Sequence, residues 1–304
     1  MNSAILFFYD INILEINKIN DNYYFNYAYN DYVVYLYKRD IEEISTLYYL
    51  NLEFVSSGYN GYEIILTKDR NILFLYENKY YVLMKVPNIK NRVITYSDVV
   101  NFLYFPRINV KKIDKSNWGS TWANKIDFIE YQFSQVKNKN KIIDSSIDYF
   151  IGIWENAISY FNDNVILGLE KCLCHKRVTC DMDLLEFLNP MNFVIDYKER
   201  DVGDYLKSYV TMNNFTANIL DKYLYFSDRN RVILLITRVL FPSYYFDMYE
   251  EIILTNIEEE KLLPLIESRN NVLFLINYLI SKYVNLNIPI IFWIKKEISF
   301  NQLI

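Results

Sequence analysis

The sequence predicts an α+β fold in two parts, a small β-rich part followed by a larger, mainly helical one. Three observations carry this. Strand-like runs crowd the first 86 residues, whereas a helical period of 3.6 dominates beyond them. The chain is also long enough, at 304 residues, and apolar enough, at 52% hydrophobic, to bury a substantial core as one large domain or two modest ones.

In chain order, Tyr32 to Tyr37 (YVVYLY) is β-branched and aromatic and reads as a strand. Asp40 to Leu52 then places Ile41, Ile44, Leu47 and Tyr48 at helical spacing. Glu63 to Thr67, Ile72 to Tyr76 and Tyr80 to Val86 read as strands, separated by turn residues at Lys68-Asp69-Arg70 and Glu77-Asn78-Lys79. Residues 1–86 are therefore expected to form a β-rich lobe with one helix. Pro87-Asn88 is a hinge candidate, and residues 87–304 form the helical lobe. There, Ile126, Ile129, Phe133 and Val136 share one helical stripe, as do Ile147, Phe150, Ile151, Trp154, Ile158 and Phe161. Lys171 to Cys174 and Phe193 to Ile195 read as short strands, and helices resume at Asp201. Asp228 is placed to cap a helix over Val232 to Leu240 that Pro242 ends, and two further helices are expected between Lys261 and Tyr283.

Charge and composition exclude several functions. Thirty-two lysines and arginines face 37 acids, a formal net charge of -5, which repels a phosphate backbone and argues against nucleic-acid partners. No apolar run approaches the roughly 18 residues of a spanning helix. Met1 to Tyr9 is apolar but has no basic leader region and no small-residue cleavage site, so a secretory signal is not expected. Cys172, Cys174 and Cys180 are odd in number and clustered, which fits a reducing cytoplasm and a soluble protein better than a disulfide framework.

The residues with chemical potential are Cys174-His175-Lys176-Arg177, Asn192-Phe193-Val194-Ile195-Asp196 and Arg200-Asp201-Val202-Gly203-Asp204. Their order resembles the catalytic core of the choline and aminoglycoside phosphotransferases, within the protein-kinase-like superfamily. Trp118 to Gln132, Tyr149 to Tyr160 and Arg238 to Glu250 narrow that resemblance to the spore-coat kinase-like proteins of endospore-forming Bacilli, over about residues 30–255. The resemblance implies a bilobal kinase-like fold, ATP and magnesium as cofactors of the active relatives, and a base aspartate, a metal-binding Asn and Asp and a strand lysine as their machinery. Arg177 stands two residues after His175, where the resemblance expects the base aspartate, and an arginine cannot accept a proton. Met182 stands where a magnesium-binding Asn is expected, and its thioether is a poor partner for an ion that demands oxygen.

By position, Asp196 matches the metal-binding aspartate, with Lys198 or Arg200 as its alternative partner. Lys38 is nearest to the strand lysine, with Glu42 or Glu43 as its partner, in a register uncertain by one residue. No glycine precedes Gly58, so a glycine-rich phosphate loop is missing and ATP binding should be weak or absent. Asp201 and Asp204 read as structural acids at a helix start. Trp118, Trp122 and Trp154 read as core.

The resemblance therefore implies a pseudokinase, without confident catalytic residues, that binds other proteins in spore-coat assembly. It would be made in the mother-cell cytoplasm and end in the coat. The alternative is an active ATP-dependent small-molecule phosphotransferase using Asp181, Asp183 or Asp196 in a rearranged loop. A zinc module built on His175 and the cysteines is a third class, disfavoured because Cys172 and Cys174 face one side of a strand and His175 the other. A nucleophilic cysteine relayed by adjacent His175 would need unusual geometry.

Overall fold

The computed structural model describes residues 1–103, 105, 112–136, 140–165, 168–212, 228–255 and 257–294. The chain divides into two compact units. The first is Met1–Ile94 with Asp181–Ile195 and a short stretch ending at Asp114; the second holds Lys115–Cys180 and the chain from Asp196 onward.

The first unit is built on an antiparallel sheet. Helix α1 (Asn2–Tyr9) precedes β1 (Asn17–Ile19), β2 (Asn22–Tyr27) and β3 (Asn30–Leu36), and α2 (Ile44–Ser56) leads to β4 (Glu63–Ile65), β5 (Leu73–Tyr76) and β6 (Lys79–Lys85). The strand order is β1-β2-β3-β6-β4, with β5 also on β6. Register places Val34 opposite Leu83 and Leu36 opposite Tyr81, so these side chains share a face. That face buries Phe25, Phe74 and the α1 residues Ala4 and Ile5 in one cluster. The opposite face carries Val33, Val82, Met84 and Ile64, all buried, and α2 packs beside β4. The apolar run at the chain start thus folds as α1, adding a helix to the one expected. The hairpin β1–β2 was not foreseen, because its sequence is rich in Asn and Tyr and lacks a clean alternation.

The second unit is helical. It contains α3 (Tyr96–Phe102), α4 (Trp118–Val136) and α5 (Lys141–Asn164), then strand β7 (Lys171–His175), which runs beside the end of β8 (Phe193–Tyr197). Between the two strands, α6 (Leu184–Phe187) lies in the first unit. Then follow α7 (Glu199–Met212), α8 (Arg229–Leu240), α9 (Ser243–Thr255), α10 (Leu263–Glu267) and α11 (Arg269–Lys282). Every residue from Val232 to Leu240 is buried, so α8 is the central helix, with α5, α7 and α11 packed on it. Asp228 caps it by accepting from the Asn230 amide, as its position predicts. Trp122 stacks on Phe241 at 3.9 Å, and Trp154 meets the same ring edge-on at 5.0 Å, so the expected core tryptophans tie α4 and α5 to the end of α8. Among the described residues, no helix is long and apolar enough to cross a membrane.

Candidate functional site

The residues singled out in sequence fall into two groups, one in each unit. In the second unit, β7 ends at His175, β8 ends at Asp196 and Tyr197, and the first turns of α7 supply Arg200, Asp201 and Asp204. His175 is fully buried. Its backbone amide donates to Asp201 Oδ1 at 3.0 Å, and its Nδ1 lies 2.6 Å from Asp201 Oδ2. Phe102 packs on the imidazole with ring centroids 4.4 Å apart. Asp201 therefore fixes the strand end and the ring orientation together.

Asp196 is also fully buried. Its Oδ2 accepts from Trp118 Nε1 at 3.0 Å and from Arg200 Nη1, while Oδ1 accepts from the Tyr197 amide at 2.8 Å. Arg200, not Lys198, is its partner; Lys198 pairs with Glu170 at 3.3 Å. The remaining Arg200 donors reach the backbone, Nε to His175 O and Nη2 to Lys176 O, both at 2.7 Å. Burial, the largest influence, would lower the Arg200 pKa, and Asp196 and Asp204 together more than reverse it, holding it above the ordinary guanidinium value.

Arg177, at the position expected of the base, points into a second charged cluster. Its Nη2 lies 2.6 Å from Asp247 Oδ2, its Nη1 lies 3.5 Å from Asp204 Oδ2, and its guanidinium sits over the Tyr244 ring. Asp204 is held from the other side by Arg238, Nε to Oδ1 at 2.9 Å and Nη2 to Oδ2 at 2.7 Å. Burial raises the Asp204 pKa, but Arg238, Lys207 and Arg177 together pull it well below the usual carboxylate range. This approach of α7 to α8 requires Gly203, because a Cβ there would lie 2.8 Å from Arg238 Cγ. Lys207, 3% exposed, donates to Phe241 O, Ser243 Oγ and Arg238 O at 2.7, 2.8 and 3.2 Å. Burial lowers its pKa to about 7, opposed by Asp204.

In the first unit, Lys38 lies just beyond β3 and pairs with Asp21 at 2.6 Å, both side chains at least half exposed. The residue that holds Glu43 is the next one, Arg39, whose Nε donates to Glu43 Oε2 at 2.6 Å. Arg39 Nη1 donates to Phe193 O at 2.7 Å and to Met191 O at 3.1 Å. Glu42 instead lies 3.4 Å from Lys112. Met182 offers its carbonyl to the Ile94 amide, and Asp181 and Asp183 are exposed.

Magnesium does not fit this donor set. Both oxygens of Asp196 are engaged by N–H donors, one of them cationic, and Met182 supplies no oxygen from its side chain. Among the described residues, no three of His, Cys, Asp and Glu come together as a metal site. Cys172 and Cys174 lie with their sulfurs 3.5 Å apart and Cys174 faces Tyr197 O, so their surroundings are strand backbone. The β1–β2 turn, where a phosphate loop would stand, carries the acid Asp21.

Local signals for part of this were present. Asp196–Arg200 and Arg39–Glu43 are both spaced i,i+4, the separation that brings side chains together on a helical turn. Asp204–Arg238 and Arg177–Asp247 join residues far apart in sequence and had none.

A family model described as "Spore coat putative kinase YutH" matches residues 2–268. The chain is 26% identical over 285 residues to the endospore coat-associated protein YutH of Bacillus subtilis (strain 168), covering 83% of each chain. Among solved structures, an aminoglycoside phosphotransferase from Alicyclobacillus acidocaldarius superposes with a TM-score of 0.66 at 8% identity, over 93% of this chain and 96% of that one. The spectinomycin phosphotransferase APH(9)-Ia, in complex with ADP and spectinomycin, gives 0.61 at 10% identity, over 89% and 92%. The fold is thus that of the kinase-like phosphotransferases.

Proposed function

Since this chain belongs to the YutH family of spore coat kinase-like proteins, we propose that it serves at the endospore coat as a binding and assembly component that has lost phosphoryl transfer. On this reading it is made in the mother-cell cytoplasm, its partners are coat proteins, and it carries neither ATP nor magnesium as working cofactors. One observation carries the reading: the side chain at the base position is Arg177, paired with Asp247 at 2.6 Å and directed at Asp204. General-base catalysis needs a proton acceptor near the operating pH. The two carboxylates instead keep Arg177 protonated, outweighing the burial that would lower its pKa. The commitment of both Asp196 oxygens to N–H donors, one of them the Arg200 cation, supports the same conclusion, since the metal that would neutralise a transferring phosphoryl group meets a carboxylate already neutralised.

Thermal unfolding with and without ATP and magnesium tests this. A ligand at 100 times its dissociation constant stabilises a fold by about 2.7 kcal/mol, a shift of several degrees. The expected result is no shift up to millimolar nucleotide. A magnesium-dependent shift that disappears in Asp196→Ala overturns the reading and points to the active phosphotransferase.

A further inference from the structure

Each nitrogen of the Arg200 guanidinium donates to an oxygen from a different chain position: Nη1 to Asp196 Oδ2 at the end of β8, Nε to His175 O at the end of β7 and Nη2 to Lys176 O in the following loop. Oxygens of these types, one carboxylate and two backbone carbonyls, are what a hard divalent cation takes as ligands. We infer that Arg200 is a built-in replacement for a divalent cation. It neutralises Asp196 and clamps the ends of β7 and β8 permanently, and its removal exposes a latent site for magnesium or calcium.

This rests on the reading above that Asp196 serves no magnesium in the native chain, and extends it to the group that took the metal's place. Three features favour it. The guanidinium is planar with five N–H donors in a fixed fork and stays charged at every physiological pH, so it can bridge oxygens on different chain segments as a metal does. All three of its nitrogens are used, which distinguishes a bridge from a simple i,i+4 ion pair. The other groups around Asp196, the Trp118 indole and the Tyr197 amide, are neutral donors that would remain to orient the carboxylate once Arg200 was gone. The next cation, Arg238, is committed to Asp204 and cannot take over.

The test is a comparison of the native chain with Arg200→Ala, each stripped with a chelator and then titrated with magnesium, calcium and manganese. Melting temperature and calorimetric binding are the readouts. The native chain is expected to melt at the same temperature with chelator or with millimolar divalent ion, and to bind no manganese. Arg200→Ala is expected to melt several degrees lower in chelator, because a buried carboxylate has lost its countercharge, to recover part of that loss in calcium or magnesium, and to bind one manganese. Asp196→Asn in the Arg200→Ala background should abolish the recovery.

If Arg200→Ala does not accumulate as folded protein, Arg200→Gln is measured for folding yield with and without calcium, and a yield that calcium leaves unchanged counts against the inference. An Arg200→Ala chain that is destabilised but gains no metal response overturns the replacement while leaving the loss of catalysis intact. A native chain stabilised by magnesium overturns both.

Discussion

Two arginines, each three residues beyond the end of its strand, do comparable work in the two units, and they are not equally satisfied. In the second unit, Arg200 spends every nitrogen, on Asp196 and two carbonyls. In the first, Arg39 binds Glu43, Met191 O and Phe193 O, yet its Nη2 is buried with no hydrogen-bond partner among the described residues. A buried donor without an acceptor costs about 1–3 kcal/mol. In the second unit each nitrogen of the arginine therefore finds an oxygen, whereas the first keeps an arginine with one nitrogen unmatched, at a real cost. The difference separates residues retained to hold the fold from a place where the fold tolerates imperfect satisfaction.

The comparison breaks most easily at Asp204, which faces Arg238, Lys207 and Arg177 at once. Asp204→Ala leaves two cations buried without their carboxylate and should cost about 3–5 kcal/mol in urea unfolding, the largest effect of any single change in the network. A loss below about 1 kcal/mol would mean that the cluster relaxes or hydrates, and that closure of the network is not what stabilises the second unit.

Arg39 tests the other side. Arg39→Ala removes the partner of Glu43 and two backbone bonds, but it also removes the orphaned Nη2, so its net cost should be smaller, roughly 2 kcal/mol. Lys38→Ala in the same assay should be silent, because Lys38 and Asp21 are exposed and their attraction is screened by salt. A larger loss from Lys38 than from Arg39 would return Lys38 to the position of the structural strand cation.

The fold was legible because its signals are local. The apolar stripes of α4 and α5, the β-branched run of β3 and the cap at Asp228 each announce an element within a few residues. The hairpin of β1 and β2 was not, since Asn-rich strands hold by backbone pairing to β3 that no side-chain pattern records. In the site, the departures at Arg177 and Met182 could be read directly from their place after His175. What Arg177 does instead could not, because Asp247 approaches from α9, 70 positions on in the chain. Arg39 was missed by one residue, since strand-end register decides which of two adjacent cations faces Glu43.

Lys207 gives the smallest and most discriminating prediction, because it sets two physical effects against each other. Three oxygens accept from its Nζ and Asp204 lies 3.7 Å away, all favouring the ammonium, while burial, the largest influence, drives the pKa down to about 7. In the unfolded chain the same amine keeps its proton to about pH 10.4. Between those values the unfolded state binds more protons than the folded one, so stability should rise with pH from 7 towards 10. The slope has an upper limit of about 1.4 kcal/mol per pH unit for one proton. Above pH 10 the buried phenol of Tyr244, whose pKa burial raises, works in the opposite sense by holding its proton only when folded. Urea unfolding of the native chain and of Lys207→Met at pH 7, 8 and 9 isolates the lysine: the upward slope should be present in the first and absent in the second. Parallel profiles would mean that Lys207 stays charged throughout, and that the oxygens at the end of α8, with Asp204, outweigh its burial. Arg200, Arg238 and Lys207 would then each hold their charge against oxygen acceptors, and Arg39 would stand alone as the unsatisfied one among the cations compared.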